Sequence, residues 1–367
     1  MRICYIADAG SIHAQRWVNY FEQRGHEIHL ISTRIGEGYS KSVRLHLLTT
    51  LLSRPQLISG YINSLIWIVQ TRRLIRRIKP DIIDAHYITK HGYLAIASGF
   101  HPVVLTAYGS DILIEAKHRR LYRFLTKYTL KKAEIVICDS GTIKKELLGL
   151  GTNPSNIRVI YNGIDTQKFS PQQGQGFKDR LGMSAVPMVI STRNLNPVYN
   201  VEMLIRAVPL VLEQEPQARF IIIGDGEQRD YLGSLASSLG VLDNVRFMGW
   251  VSHDELPDYL ASSDIYVSTS LSDSTSLSLQ EAMACEVAPV VTDLPANREW
   301  VNDGENGFIV PVDNPKALAE RIIDLIRNKE SREKFGKEGR KIIKERAEYE
   351  EEMNKMEKIY QEQVESK

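Results

Sequence analysis

Apolar and polar positions recur along this chain in one repeating unit: a short apolar run of strand length, a polar turn, then a stretch with helical spacing. In the first half the apolar runs are RICYIA, EIHLIS, DIIDAH, PVVLTA, EIVICDS and IRVIYN, with helical patterns between them such as AQRWVNYFEQR, which closes at Gly25. In the second half PMVISTR, ARFIIIGDG, NVRFMG, DIYVSTS, EVAPVVT and GFIVPV play the same part. Strands alternating with helices predict an α/β fold with parallel sheets covered by helices on both faces. The stretch SPQQGQGFKDRLGMSAVP, Ser170 to Pro187, is polar and rich in Gly, Gln and Pro, and reads as an interdomain linker. The expected domains are therefore 1–169 and 188–345, joined by 170–187. The closing EYEEEMNKMEKIYQEQVESK is helical, and a tail of about 346–367 is expected to return to the first domain.

Composition narrows the class. At 367 residues, with 43% hydrophobic and 25% charged, the chain is globular and too long for one ordinary core, which agrees with two domains. Cys4, Cys138 and Cys285 each sit inside an apolar run, so buried reduced thiols in a cytoplasmic protein are expected rather than disulfides. No metal-ligand spacing is present. Met1 and Arg2 lead straight into an apolar strand, and the longest purely apolar segment is LIWIV, which disfavours secretion and membrane spanning.

The net charge of +1 hides an asymmetry. Residues 1–170 hold 24 Lys and Arg against 12 Asp and Glu, whereas residues 171–367 hold 22 against 33. Halves of opposite sign predict two different partners. Two basic helical patterns carry the positive charge: NSLIWIVQTRRLIRRIK (63–79), with Arg72, Arg73, Arg76 and Arg77 along one side, and KHRRLYRFLTKYTLKK (117–132). Such helices can lie on anionic lipid, so a peripheral position on the inner face of the plasma membrane is one expectation and a solvated basic face the other. No nucleic-acid motif accompanies them.

In open α/β sheets ligands bind beyond the carboxyl ends of the strands, so the residues after each apolar run are the candidates. The first strand is followed by Gly10 and Ser11, which is not a dinucleotide fingerprint and can equally be an ordinary turn. DAHYITKHG places His86 and His91 at a strand end, and TAYGSD places Tyr108 and Asp111 at another, where together they can bind sugar hydroxyls or move protons, although singly each is more often a turn residue or an internally bonded histidine. In the second half, Arg193 leaves a buried strand and can clamp phosphate, the alternative being an exposed ion pair. Gly224 and Gly226 permit close backbone approach. In SLSDSTSLSLQEAMAC, Thr275, Ser276 and Leu277 open a helix whose free N–H groups can hold a diphosphate. Glu281, one turn further on, suits the two vicinal hydroxyls of a ribose, and Asp273 faces what lies beyond the phosphates, each otherwise being a helix-capping carboxylate.

Taken in order, these segments resemble the retaining glycosyltransferases of family four, which have the GT-B fold. The residues that carry the resemblance are EAMAC with Asp273 eight residues before Glu281, similar to the E-x7-E motif, together with VNDGENGFIVPVDNPKALAERI, IRVIYNGIDTQKF, RGHEIHLIS, CDSGTIKKEL, IIIGDGEQRDYL and NVRFMGWVSHDEL. They span nearly the whole chain. The resemblance implies two Rossmann-like domains facing across a cleft, and an enzyme moving a sugar from a UDP- or GDP-sugar to a hydroxyl of a glycan or lipid-linked glycan, with retention and without a metal or other cofactor. It implies that Arg193 and the N–H groups around Thr275, Ser276 and Leu277 hold the diphosphate, Glu281 the ribose, Asp273 the transferred sugar, and Trp250 and Val251 the base. Gly10 and Ser11 would approach the phosphates, while His86, His91, Tyr108 and Asp111 would face sugar and acceptor. Three positions depart from the pattern: Asp273 replaces a Glu, Tyr199 stands where a Lys is usual, and Tyr108 where a His is usual. Arg298 could supply the missing cation, or the chain could be a catalytically degenerate GT-B protein that binds a nucleotide sugar or a catalytic partner.

Overall fold

In the computed structural model, which describes residues 1–50, 57–116, 120–184 and 186–367, the apolar runs form two parallel sheets. The first has seven strands, β1 (Arg2–Ile6), β2 (Glu27–Ser32), β3 (Arg44–Leu47), β4 (Ile82–His86), β5 (Val103–Ala107), β6 (Ile135–Cys138) and β7 (Ile157–Val159), in the order 3-2-1-4-5-6-7. The second has six, β8 (Met188–Ser191), β9 (Arg219–Ile223), β10 (Val245–Gly249), β11 (Ile265–Ser268), β12 (Ala288–Thr292) and β13 (Phe308–Val310), in the order 10-9-8-11-12-13. In each sheet the order reverses beside its first strand, so the switch points lie at β1/β4 and β8/β11. Every residue of β4, β5, β11 and β12 is buried, as parallel strands covered on both faces must be, and this is why their sequences are nearly unbroken apolar runs.

The strand absent from the sequence reading is β3. It lies at the sheet edge, buries none of its four residues fully, and alternates Arg and His with only two leucines, so it gives no apolar run.

The chain divides into one compact unit of Met1–Asn162 with Glu351–Lys367, and another of Gly163–Glu350. The polar stretch 170–187 belongs to the second unit and is packed there. It contains a helical turn, Phe177–Arg180; Lys178 Nζ bonds Asp264 Oδ2 at 2.7 Å; and a Cβ on Gly174 would meet the Ala261 backbone at 2.6 Å. Its glycines therefore serve close packing as well as turns.

The helix Tyr349–Glu365 supplies the tail of the first unit. Tyr360 is fully buried, packs on Phe21 at 5.0 Å, and donates its hydroxyl to Asp84 Oδ2. Glu357 bonds Arg24 at 2.9 Å and His26 at 2.8 Å, and Glu352 accepts from the Tyr161 N–H at 2.8 Å. Burying each apolar side chain of this helix contributes ~1.5–3 kcal/mol. Among the described residues no helix is long and apolar enough to cross a membrane.

Candidate active site

At the β8/β11 switch point of the second unit, Arg193 leaves β8 and turns back over the loop that follows β11. Its guanidinium is almost fully buried and makes three charge-assisted contacts: Nη1 donates to Ser276 Oγ at 2.8 Å and Ser278 Oγ at 3.0 Å, and Nη2 donates to Asp273 Oδ2 at 2.7 Å. Its Cζ lies over the Tyr199 ring, 4.3 Å from the ring centroid. Burial alone would weaken its hold on the proton, but Asp273 and the neighbouring tyrosines outweigh it and leave the pKa raised. Among the described residues Arg193 Nε has no hydrogen-bond partner although it is buried, so the group retains a donor.

The loop holding Arg193 is shaped by the glycines of GDG. Gly224 has φ +133°, and a Cβ there would meet the Arg193 carbonyl oxygen at 2.5 Å; a Cβ on Gly226 would meet that of Leu195 at the same distance. The close backbone approach foreseen from these glycines is thus to the chain's own Arg193–Leu195 segment, reinforced by Leu195 N–H donating to Asp225 O at 3.0 Å.

Opposite Arg193 is the helix Leu277–Ala284. Ser276 is its N-cap and accepts from the Leu279 N–H at 3.3 Å, while Thr275 Oγ1 accepts from Gln280 Nε2 at 2.8 Å. The N–H groups of the first turn and the dipole of the helix, facing a buried guanidinium, can hold an anion of two charges. Glu281 is buried in the next turn, 3.2 Å from His253 Nε2. Trp250 and Val251 follow β10 at the same edge of the sheet, with Trp250 76% exposed and so open to a planar ring. Arg298 does not join this group: among the described residues its side chain bonds Asp293, at 2.6 and 2.9 Å. Tyr199, where a cation was missed, provides a ring face to Arg193 instead.

In the first unit the β1/β4 switch point gathers His86 and Tyr108. His86 is buried at the end of β4; its Nδ1 lies 2.9 Å from the Tyr108 hydroxyl and its Nε2 3.6 Å from Asp84 Oδ2. Burial, with Asp84 and Asp139 next, raises the Tyr108 pKa well above the ordinary tyrosine value, so the phenol stays protonated. His13 stacks on Tyr108 at 4.8 Å, its own pKa lowered to about 4 by burial and then by Arg16 and His86. Sequence reasoning missed His13, although its place two residues after Ser11 in the first strand-end loop could have marked it. Gly10 is exposed and Ser11 starts the helix Ile12–Gln23, with its side chain making no capping bond.

Two expected acceptor residues have other occupations. Asp111 is fully buried, and its carboxylate accepts backbone N–H bonds from Ile88 (2.8 Å), Ile112 (3.1 Å) and Tyr108 (3.3 Å). It therefore latches the Tyr108 loop to the end of β4. His91 is likewise buried, with Nδ1 2.7 Å from the His86 carbonyl oxygen, and burial lowers its pKa to about 4. Tyr87, between them, has φ +77° and bonds Glu115 at 2.9 Å, a polar pair that sequence gave no reason to single out. Among the described residues no group of three or more His, Cys, Asp or Glu is placed to hold a metal ion.

Comparison with known proteins bears on the fold and the family. The family model for glycosyl transferases group 1 matches residues 179–342, and that for glycosyl transferase 4-like proteins matches residues 2–140. The chain is 25% identical over 352 residues to the N-acetyl-alpha-D-glucosaminyl L-malate synthase of Bacillus anthracis, covering 92% of this chain and 90% of that one. It is 27% identical over 283 residues to the sulfoquinovosyl transferase SQD2 of Arabidopsis thaliana, covering 72% of this chain and 54% of that one. Among solved structures, HepE of Anabaena in complex with UDP superposes with a TM-score of 0.83 at 20% identity, over 99% of this chain and 100% of that one. The sucrose-phosphate synthase of Thermosynechococcus elongatus superposes with a TM-score of 0.85 at 17% identity, over 100% of both. Two doubly wound units with loaded switch points, one matched by each of these two models, identify the chain as a family-four glycosyltransferase of the GT-B fold.

Proposed function

We propose that this enzyme transfers a hexose with retention of anomeric configuration from a UDP- or GDP-sugar to a hydroxyl of a glycan or lipid-linked glycan, without a resident metal. The observation that carries the reading is the convergence of the buried Arg193 guanidinium and the mouth of helix Leu277–Ala284 at the second switch point. Arg193 and the N–H groups around Thr275, Ser276 and Leu277 take the diphosphate, and stabilise it as negative charge grows on the leaving oxygen. Glu281 accepts from the ribose hydroxyls, Asp273 from the transferred sugar, and Trp250 and Val251 meet the base. In the front-face displacement, the departing phosphate oxygen takes the acceptor's proton while the anomeric carbon exchanges one oxygen for another on the same face. The proton has no need of a protein base there.

On the first unit the acceptor is assigned to His86 and Tyr108, whose hydroxyl, kept protonated, can donate to a sugar oxygen. Anionic lipid is assigned to the helix Leu57–Ile78, where Ile62, Leu65 and Val69 are exposed on the same stripe as Arg72 and Arg76. Helix Arg120–Lys132 adds Phe124, 66% exposed, with Arg123, Lys131 and Lys132. Lys117, His118 and Arg119, the start of the second basic pattern, lie outside the described residues.

The test is calorimetric binding of UDP-, GDP- and ADP-sugars to the wild type and to Arg193→Ala. One donor should be preferred and Arg193→Ala should remove both its binding and its turnover. Retained donor affinity in the variant would take the diphosphate away from this site.

A further inference from the structure

The turn NGIDTQKF has no part in the donor site described so far, yet it reaches one of its carboxylates. Asp165 Oδ1 accepts from the backbone N–H groups of Gln167 at 3.0 Å and Lys168 at 2.9 Å, and Arg340 bonds the carbonyls of Thr166 and Phe169 at 3.0 and 2.9 Å. The turn is therefore fixed, and it aims Lys168 at His253: Nζ lies 3.1 Å from His253 Nδ1 and 2.6 Å from Asp254 Oδ1. The buried Phe169 ring packs edge-to-face with the imidazole, with centroids 5.1 Å apart at 64°. On its other side, His253 Nε2 is 3.2 Å from Glu281 Oε1.

Donor and acceptor rules fix the direction of this chain. An ammonium offers only donors, so His253 Nδ1 accepts from Lys168. The single ring proton then sits on Nε2 and is donated to Glu281, the second nitrogen being set by what the first one does. Among the described residues His253 alone bonds the Glu281 carboxylate. One oxygen is thus held and the other left for a ligand.

We propose that Lys168 and His253 are positioning residues for the donor: Lys168 selects the His253 tautomer, and its Nε2–H holds one oxygen of Glu281 so that the other meets the vicinal hydroxyls of the ribose. The inference rests on the assignment of the ribose to Glu281 made above. Both residues act through the Glu281 carboxylate. His253 is about half exposed, so the relay is not needed to close the core. Its work is orientation: a carboxylate free to rotate loses part of its two-hydroxyl geometry, while one held on Oε1 keeps it. A glutamine at 253 can reproduce the relay, because its amide accepts from an ammonium through oxygen and donates to a carboxylate through nitrogen.

The experiment is titration calorimetry of UDP and GDP, and of their 2′,3′-dideoxy counterparts, against the wild type, Glu281→Gln, His253→Ala, His253→Gln and Lys168→Met, with thermal melts of each. For the ribonucleotide that binds, His253→Ala should weaken binding about three- to tenfold, the effect of one hydrogen bond. The same substitution should leave the dideoxy counterparts unaffected. His253→Gln should restore the loss, and Lys168→Met should fall between. Equal losses for ribo and dideoxy ligands, or no loss at all, would overturn the relay while Glu281→Gln still discriminated between the two sugars. If Glu281→Gln itself failed to discriminate them, the ribose assignment would fall and the relay with it.

Discussion

Asp273→Asn separates the two roles that the site gives to one carboxylate. Asp273 Oδ2 sits 2.7 Å from Arg193 Nη2, with the two side chains only 12% and 9% exposed. A diphosphate drawn to Arg193 must approach this carboxylate too. Like charges about 5 Å apart at an effective dielectric near 20 repel by about 3 kcal/mol. If relaxation and solvent remove two-thirds of that, about 1 kcal/mol survives, roughly a fivefold change in Kd. Asparagine has the same shape and can still accept from Arg193, so the guanidinium stays where Ser276, Ser278 and Tyr199 hold it. Free UDP or GDP, whichever the enzyme prefers, should therefore bind about five times more tightly to Asp273→Asn, less so at high salt. Sugar transfer should fall at the same time, because the amide is a weaker acceptor for the transferred sugar. Calorimetry of the nucleotide and kcat/KM for the complete donor read the two effects independently. Unchanged or weaker nucleotide binding would refute the placing of the diphosphate against Arg193.

Other perturbations probe the first unit. Tyr360→Phe removes a buried donor from Asp84 and should cost ~1–3 kcal/mol, seen as faster hydrogen exchange in β1 and β4; unchanged exchange would reject it. Asp111 titrates at about 6 instead of 3.8 because burial opposes its charge, with backbone N–H groups pulling the other way. The folded protein holds this proton more tightly than the unfolded chain, so the wild type should gain on Asp111→Asn as pH falls from about 6 to 4, by up to about 3 kcal/mol. Denaturant melts across that range check it, and a constant difference would contradict it. Replacing Arg72, Arg73, Arg76 and Arg77 by Gln should reduce salt-sensitive flotation with anionic liposomes, and equal flotation would leave a soluble acceptor as the better reading.

The twelve apolar runs were legible because a strand of a covered parallel sheet has no polar face, and the strand-end loops follow from them. Arg193 and the helix mouth were legible for the same reason: each comes directly after such a run. What escaped was pairing across long stretches of chain. Nothing in DAHYITKHG tells that Asp84 waits for a tyrosine near residue 360, or that Asp111 will spend its oxygens on backbone N–H groups. The partnership of Lys168 with His253 joins positions 85 apart, and that of His253 with Glu281 joins positions 28 apart. A polar residue's exposure depends on such partners, so sequence indicates where polar groups gather more readily than which of them remain available.

The docking of the last helix also bears on the order in which the chain acquires structure. Residues that complete the first unit, Glu352, Glu357 and Tyr360, leave the ribosome only after all of Gly163–Glu350 has been made. During synthesis the second unit can reach its final form first, although it comes later in the sequence than most of the first. Until then Asp84 and Phe21 lack the cover of Tyr360, and the amino-terminal sheet awaits the arrival of its last element.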